Sequence, residues 1–135
     1  KYEKIVIGKS VFIKEGSKVA VLSNGTIGNN VSLAIAKMKH PETIAHYDFS
    51  FVKPLDEKAL NNIFNTFKTI ITIEDGTVKG GFGSAILEFA SENNYASKIT
   101  VLGIPDEFIE HGTVAELQQY CKIDVKSLEI LFSSY

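Results

Sequence analysis

An uninterrupted run of β-branched residues at positions 69–73 constrains the fold of this chain more than any other feature. A strand with one buried face alternates apolar and polar residues, so this run predicts a strand that is buried on both faces. Such strands lie inside a largely parallel sheet that helices cover on both sides. The sequence therefore predicts an α/β fold built around this strand.

The residues that follow this strand predict an acidic turn and then a helix with a glycine-rich start. Glu74 and Asp75 come where the strand is expected to end, and Gly76 favours a turn. The segment Gly80-Gly81-Phe82-Gly83 leads into residues with helical spacing, namely Phe82, Ala85, Ile86, Phe89 and Ala90. In an open α/β sheet, ligands or partner surfaces usually meet the domain beyond the carboxyl ends of the strands. This unit is therefore the first candidate for a functional site.

Strands and helices alternate along the rest of the chain. An edge hairpin arm is predicted at residues 2–16, and further strands are predicted at residues 18–23, 44–49 and 98–104. Helices are predicted between these strands and after the last one, and Asp56, Thr113 and Asp124 have the spacing of helix N-caps. Such alternation gives parallel strands with helices on both faces, so we expect a three-layer α/β/α sandwich.

Length and charge restrict the classes of protein to which this chain can belong. Its 135 residues fit a single domain, residues 1–135, with one hydrophobic core. The 14 basic and 16 acidic residues leave a net charge of −2, which gives no electrostatic reason to expect a nucleic acid or a membrane as partner. All 14 basic residues are lysines, although arginine is the residue best suited to a two-pronged grip on phosphate. The sequence therefore disfavours a self-sufficient enzyme that acts on phosphate esters.

The remaining composition predicts a cytoplasmic protein that is part of a longer chain. The single cysteine, Cys121, cannot form an internal disulfide, so we expect a reducing compartment and a buried apolar role for this thiol in a helix. No apolar run approaches the roughly 18 residues of a membrane span, and no signal peptide pattern is present. The chain begins with Lys1 and its one methionine is Met38, so we expect a piece of a larger protein.

Two interpretations of the glycine-rich segment at residues 80–83 remain open. A helix N-terminus with free N–H groups binds anions, and glycines let a phosphate approach. However, the spacing matches neither the dinucleotide fingerprint nor the P-loop, and Glu74 and Asp75 would repel a phosphate with only Lys79 to oppose them. The other interpretation is close packing, either of this helix on its own sheet or of another domain on this loop.

The acidic side chains expected at the carboxyl edge of the sheet could bind magnesium or act as an acid and a base. They are Asp48, Glu74, Asp75, Asp106 and Glu107. Solvated loop carboxylates are far more common, and nothing in the sequence fixes the distances between these side chains. We therefore predict no metal site and no catalytic residue in this chain.

The histidines and Ser84 give no sign of nucleophilic catalysis. His40, His46 and His111 are scattered rather than spaced as metal ligands, and no serine or cysteine lies in a motif that would need a histidine base. Ser84 follows G-F-G and does not occupy a G-x-S-x-G elbow. His111 precedes a predicted helix, where it could contact a partner or cap its loop.

Three segments of the chain form a combination that is specific enough to point to a known family. They are Y-D-F-S-F-V-K-P-L-D at residues 47–56, I-E-D through G-G-F-G-S-A at residues 73–85, and G-I-P-D-E-F-I-E-H-G-T at residues 103–113. Together they resemble the carboxyl-terminal domain of 1-deoxy-D-xylulose-5-phosphate synthases, and the resemblance extends over residues 7–130. The G-G-F-G element alone is similar to the wider transketolase group. One departure is Glu74-Asp75, where the synthases usually have two glutamates.

The resemblance implies a mixed, mostly parallel five-stranded sheet with one antiparallel edge strand, for which residues 11–13 are the candidate. It also implies that thiamine diphosphate and magnesium are held by two preceding domains, where pyruvate condenses with glyceraldehyde 3-phosphate for isoprenoid and thiamine precursor synthesis. This chain would be the third domain, without a cofactor of its own, and would brace the preceding domain and a homodimer. Glu74, Gly80, Gly81 and His111 would form the face against the neighbouring domain.

Two alternatives from other classes remain open. The chain could be the C-terminal domain of another transketolase-like enzyme, such as a 2-oxo acid dehydrogenase beta subunit. It could also be a free-standing, flavodoxin-like module that binds a nucleotide at the glycine-rich helix start. If the chain belongs to a synthase, we expect no turnover from it alone, whereas the module would bind flavin, adenine or thiamine phosphates by itself.

Overall fold

The computed structural model describes residues 4–135, in which strands and helices alternate. The strands are β1 Val11–Lys14, β2 Val19–Asn24, β3 Ile44–Asp48, β4 Thr69–Thr77 and β5 Lys98–Ile104. The helices are α1 Gly28–Lys37, α2 Glu57–Thr66, α3 Phe82–Glu92, α4 Val114–Tyr120 and α5 Val125–Ser133, with a 3-10 helix at Pro41–Thr43. The predicted succession of elements is confirmed. Within residues 4–135, no helix has the length and apolar character needed to cross a membrane.

The strands of the described residues lie in the order β1-β3-β2-β4-β5. β2, β3, β4 and β5 run parallel, and β1 pairs antiparallel with β3 at one edge. The mixed, mostly parallel five-stranded sheet is thereby confirmed, with its antiparallel strand in the predicted arm. The predicted hairpin is wrong, because β1 pairs with β3 and not with β2, the next strand along the chain. Tyr2 and Glu3 of that arm lie outside the described residues.

Strand β4 carries the β-branched run, and this run is buried on both faces as predicted. β4 lies between β2 and β5. Ile71 and Ile73 pack against α1 and α5, while Ile70 packs on the other face against α2 and α3. The strand continues to Thr77, beyond the predicted end at Ile73. Its pairing with β5 is irregular between Ile73 and Thr77.

Helices cover both faces of the sheet and complete the three-layer sandwich. α1 and α5 pack together on one face, and α2 and α3 share a second core cluster on the other. Within the second cluster, the rings of Phe64, Phe89 and Tyr95 lie with their centroids between 4.8 and 6.2 Å apart. Burial of these apolar faces is the main force that holds the layers together.

The predicted N-caps of α2, α4 and α5 are confirmed. A side-chain oxygen at an N-cap accepts a backbone N–H that has no partner inside the helix. The observed pairs are Asp56 with Ala59 N at 3.2 Å, Thr113 with Glu116 N at 3.2 Å, and Asp124 with Ser127 N at 3.3 Å.

Asp56 has a second role that the sequence did not predict. Its Oδ2 accepts hydrogen bonds from the backbone N–H of Ser10 at 2.8 Å and from the Ser10 hydroxyl at 2.9 Å. Burial raises the pKa of Asp56, but the hydrogen bonds from Ser10 and Ala59 and the nearby Lys9 outweigh it, so the pKa lies below its usual range. The ionised carboxylate thus ties the residue before β1 to the start of α2.

Helix α4 leaves much of its apolar side exposed. Val114, Leu117 and Cys121 recur at helical spacing, but Val114 is 72% exposed and the other two are half-buried. The helix lies beside the carboxyl ends of β4 and β5, and Asn30 of α1 donates to the side chain of Gln118 at 3.0 Å. Part of its apolar surface is therefore left uncovered by the rest of residues 4–135.

Cys121 lies at the C-cap of α4 and is half-buried, so the predicted buried position in a helix is wrong. Burial raises the pKa of the thiol, and the carboxylate of Glu107 raises it further. Both effects favour the neutral thiol over the reactive thiolate.

His46 lies inside the fold, where two serines hold its ring. It is 2% exposed, and its Nε2 and Nδ1 lie 2.8 Å and 3.3 Å from the hydroxyls of Ser23 and Ser32. Burial lowers the pKa of His46 to about 4, against a smaller opposing effect of Asp48. The ring is therefore neutral at pH values at which an exposed histidine is protonated.

We expect the free energy of unfolding to fall by about 2 kcal/mol between about pH 7 and pH 5 through His46 alone. The ring has a pKa of 6.5 when unfolded and about 4 when folded, so the unfolded state binds more protons between these values. The stability that the neutral ring contributes is complete above pH 6.5 and declines as the pH falls towards 4. Urea unfolding at a series of pH values measures this loss.

His46→Gln removes the titrating ring, so the variant should lose about 2 kcal/mol less than the wild type over the same range, whatever its stability at neutral pH. His40→Gln is the matched control, because His40 is exposed and its ring contacts Glu42 at the surface. An equal pH dependence in the wild type and His46→Gln would contradict the prediction.

Candidate functional site

The buried carboxylate of Glu74 closes the start of α3. Glu74 is 3% exposed, and its two oxygens accept the backbone N–H groups of Phe82 at 3.0 Å and Gly83 at 2.8 Å. These N–H groups belong to the first turn, where a helix offers them no partner. Gly81 occupies the N-cap position and has no side chain to serve them. Glu74 therefore caps α3 from the neighbouring strand, with its charge at the positive end of the helix dipole.

Asp75, the next residue of β4, holds the turn that leads into α1. Its Oδ2 accepts hydrogen bonds from the Thr26 hydroxyl at 3.0 Å and from Ile27 N at 3.2 Å. Ile27 is the N-cap residue of α1, and within the described residues its side chain makes no capping bond. Successive side chains of a strand point to opposite faces, so the two carboxylates reach helices in opposite layers.

This arrangement corrects the predicted acidic turn. Glu74 and Asp75 belong to β4, and Glu74 lies opposite Asn24 of β2, so it is not a solvated loop carboxylate. α1 follows β2 on one face of the sheet, and α3 follows β4 on the other. The crevice between the ends of β2 and β4 is therefore the place where an open α/β sheet usually binds a ligand. Here the chain's own carboxylates occupy it.

Two glycines of the glycine-rich segment are required by packing inside this chain. A Cβ on Gly81 would collide with the carboxylate of Glu74 and lie 2.5 Å from the carbonyl oxygen of Thr77. A Cβ on Gly83 would collide with Val101 of β5. Of the two interpretations of this segment, close packing of the helix on its own sheet is thereby confirmed for these positions.

Gly80 is required for a different reason, because its φ of +73° lies in the left-handed region. Its N–H donates to the hydroxyl of Ser84 at 3.0 Å, and that hydroxyl donates to the carbonyl of Val78 at 2.9 Å. Ser84 thus closes the loop between β4 and α3.

The start of α3 does not fit a phosphate. The N–H groups of Phe82 and Gly83 that would bind an anion are engaged by Glu74, and a phosphate near them would be repelled by this carboxylate. The diphosphate of thiamine diphosphate, the cofactor implied by the resemblance, carries the same kind of charge and meets the same obstacle. The residues at this edge therefore do not fit that cofactor, and a nucleotide-binding module is disfavoured.

The other acids of the expected cluster are held apart by their own contacts. Asp48 accepts the Ser50 hydroxyl at 3.0 Å, Asp106 lies 3.3 Å from Lys79 Nζ, and Glu107 accepts the Tyr120 hydroxyl at 2.8 Å. In the part of the chain that the structure describes, no group of three or more His, Cys, Asp or Glu side chains could hold a metal ion. The five acids do not come together as one site.

His111 lies on a groove between the loop of residues 105–113 and α4, which we call the α4 groove. The cavity measures about 260 Å³. Its walls include Ile104, Ile109, Val114 and Leu117, with Asp75, Glu110 and His111 among its polar residues. The structure therefore brings His111 to the same surface as the second acid of β4.

The four predicted interface residues fall into two settings. Gly80 and His111 are exposed, and Gly81 is half-buried, whereas the side chain of Glu74 is engaged inside the chain. Their place in an interface stays a prediction. The sequence did not predict that Glu74 caps α3 or that Asp75 bonds the turn before α1, although a helix that starts on glycine shortly after two acids in a strand is a usable signal.

A sequence model for the transketolase C-terminal domain matches residues 8–128. The 1-deoxy-D-xylulose-5-phosphate synthase of Bacteroides thetaiotaomicron is 49% identical over 128 residues, which cover 93% of this chain and 20% of the relative. The synthase of Cytophaga hutchinsonii is 50% identical over 128 residues, which cover 94% of this chain and 20% of the relative. This chain therefore spans about a fifth of the length of these relatives.

Two solved structures share the fold. One, described as a split gene transketolase, inactive beta4 tetramer, has a TM-score of 0.86 at 22% identity and covers 98% of this chain and 43% of its own. The transketolase of Campylobacter jejuni has a TM-score of 0.61 at 16% identity. The match covers 95% of this chain and 19% of the transketolase chain. At these identities the likeness concerns the fold, and it confirms the predicted fold class.

Glu74→Ala should lower the free energy of unfolding by about 2–4 kcal/mol, because it leaves two buried N–H groups without an acceptor. Glu74→Gln keeps an acceptor oxygen and should lose less. Glu88→Ala is the matched control, since this exposed residue of α3 should change stability by no more than about 0.5 kcal/mol. Chemical denaturation measures all three, and an equal loss in Glu74→Ala and Glu88→Ala would contradict the capping role.

Alanine at Gly81 and at Gly80 should lower the free energy of unfolding by different amounts. Gly81→Ala should lower it by more than about 2 kcal/mol, because the new Cβ collides with Glu74 and crowds the Thr77 carbonyl. Gly80→Ala should lose about 1 kcal/mol, since its Cβ meets no described atom within 4 Å but its φ of +73° strains an L residue. Urea denaturation compares the two, and the reverse order would refute the assignment of close packing to Gly81.

Proposed function

Because the chain belongs to the transketolase C-terminal domain family, we propose that it is the C-terminal domain of a 1-deoxy-D-xylulose-5-phosphate synthase. One observation carries this proposal, namely that identities of 49% and 50% to two such synthases extend over 93% and 94% of the chain. Each match covers 20% of the relative, so residues 1–135 would be one domain, the third, of a longer polypeptide.

In the proposed enzyme, this chain supports the preceding domains and supplies no catalytic group. Pyruvate and glyceraldehyde 3-phosphate would condense in those domains, which would hold thiamine diphosphate and magnesium. The engagement of Glu74 at the start of α3 and of Asp75 in the turn before α1 supports this division, because both carboxylates occupy the crevice where a ligand would be expected. The enzyme would be a cytoplasmic homodimeric transferase that feeds isoprenoid and thiamine precursor synthesis.

The face towards the preceding domains includes Gly80 and His111 in this proposal. Both are exposed, and both lie on loops that follow the carboxyl ends of strands. Glu74 and Gly81 would contribute from beneath, because they fix the loop that carries Gly80. A large side chain at Gly81 would disrupt the packing of this chain before it reported on any interface, so His111 is the better probe.

The comparisons favour a synthase over the other two classes considered. The relatives that are 49% and 50% identical carry the synthase name, whereas the transketolase structures are 22% and 16% identical. A free-standing nucleotide module would need an anion site where the carboxylate of Glu74 lies. No observation on this chain specifically favours a 2-oxo acid dehydrogenase.

The full-length polypeptide that contains this chain should form 1-deoxy-D-xylulose 5-phosphate from pyruvate and glyceraldehyde 3-phosphate when thiamine diphosphate and magnesium are supplied. The 135-residue chain alone should give no turnover, because it would lack the domains that hold the cofactor. Mass spectrometry of the sugar phosphate measures both reactions.

Two controls make this test decisive. In the full-length polypeptide, Glu74→Ala should lower the temperature at which activity is lost, and Glu88→Ala should leave it unchanged. Turnover by the 135-residue chain would overturn the supporting role. Calorimetric binding of flavin, adenine or thiamine phosphates to the chain alone near micromolar affinity, about −8 kcal/mol, would favour the nucleotide module.

A further inference from the structure

We propose that the α4 groove is the docking site for the preceding part of the polypeptide, and that the docked segment presents an apolar side chain next to a basic one. This inference rests on the proposed function, because it takes the preceding domains to exist. It adds the surface that they contact and the chemistry that this surface selects.

The groove is built to receive an apolar group. Ile104, Ile109, Val114 and Leu117 line it, and a space of about 260 Å³ has room for one or two large side chains. Val114 is 72% exposed, and the neighbouring Phe108 is 92% exposed. Apolar side chains that cluster around a concave surface mark a binding site more often than single exposed ones do. Covering this groove would bury apolar surface that α4 leaves open.

The acidic residues around the groove favour a partner with a positive charge. Asp75 and Glu110 line it, and Glu116 lies beside Glu110 on the adjoining surface of α4. The nearby Lys79 is paired with another acid, Asp106, at 3.3 Å. Asp75 keeps its hydrogen bonds from Thr26 and Ile27, but an apolar partner that covered Glu110 and Glu116 without a cation would remove their carboxylates from water uncompensated. The docked segment should therefore carry a lysine or arginine beside its apolar side chain.

The preceding polypeptide fits the groove better than a second copy of this chain. Two copies that met groove to groove would bring two acidic rims together, and like charges repel. The arm of a second copy, with Ile5 to Ile7 exposed between Lys4 and Lys9, has suitable chemistry. However, the curated relatives are matched over 20% of their length, and a segment of the same polypeptide has an effective concentration on the order of millimolar. A separate copy would have to compete with it.

Hydrogen–deuterium exchange tests the docking site directly. Exchange is measured for the 135-residue chain alone and for the same residues in the full-length polypeptide. We expect the amides of residues 106–120 to exchange at least about tenfold more slowly in the full-length polypeptide. Unchanged exchange at these residues would overturn the inference.

Substitutions at the groove separate docking from folding. Val114→Glu in the full-length polypeptide should abolish the protection, and Glu110→Lys should weaken it by reversing a charge on the groove. Both residues are exposed, and an acid in the first turn of α4 is compatible with its dipole, so the 135-residue chain should keep its melting temperature. Ile130→Glu is the matched control, because Ile130 is an exposed apolar residue of α5 that does not line the groove.

The pattern of protection distinguishes the remaining outcomes. Protection confined to β1, the exposed edge of the sheet, would overturn the groove as docking site but leave the supporting role intact. Protection at neither surface would overturn both. Protection of the groove that rises with the concentration of the 135-residue chain would identify a second copy as occupant and overturn the assignment to the preceding polypeptide.

Discussion

Two consecutive carboxylates near the carboxyl end of β4 connect all three layers of this fold. Glu74 accepts the first N–H groups of α3, and Asp75 accepts the Thr26 hydroxyl and the N–H of Ile27 in the turn before α1. Because neighbouring strand residues face opposite sides of a sheet, one dipeptide can serve helices in two different layers. The three helices α2, α4 and α5 carry their own capping side chains, and α3 depends on the strand instead. The start of α3 and the turn before α1 are thereby both linked to β4.

This interaction also decides what the carboxyl edge of the sheet can bind. A helix start with glycines normally offers N–H groups to an anion. The crevice between two strands whose following helices lie on opposite faces of the sheet normally has room for the ligand. Here the N–H groups are engaged by a buried carboxylate, and Gly81 is small because this carboxylate lies against it. A feature that looks like a phosphate site in the sequence is therefore part of the core. The surface left for recognition lies beside it, at the α4 groove.

The sequence predicted what depends on local patterns and missed what depends on contacts between distant residues. Strand β5 was predicted with the bounds Lys98–Ile104 that the structure shows, and Asp124 caps α5 as its spacing indicated. The bond between Asp56 and Ser10 joins residues 46 positions apart, and no local spacing reveals it. The end of β4 was misplaced for the same reason, since an acid after an apolar run is taken as solvated until the helix that buries Glu74 is known. The four proposed interface residues depend on surfaces beyond residues 4–135, so the fold alone does not test them.

Helix α4 shows the limit of reading helical periodicity as burial. Val114, Leu117 and Cys121 recur with the helical period, and such a pattern indicates an apolar face without saying what covers it. α4 has seven residues, too few for stability from helix propensity alone, and none of its residues is buried. Its N-cap and the bond between Asn30 and Gln118 hold it in place, but they bury little apolar surface. Because a short helix gains most of its stability from packing on its apolar face, the uncovered face of α4 is best explained by a partner that completes it.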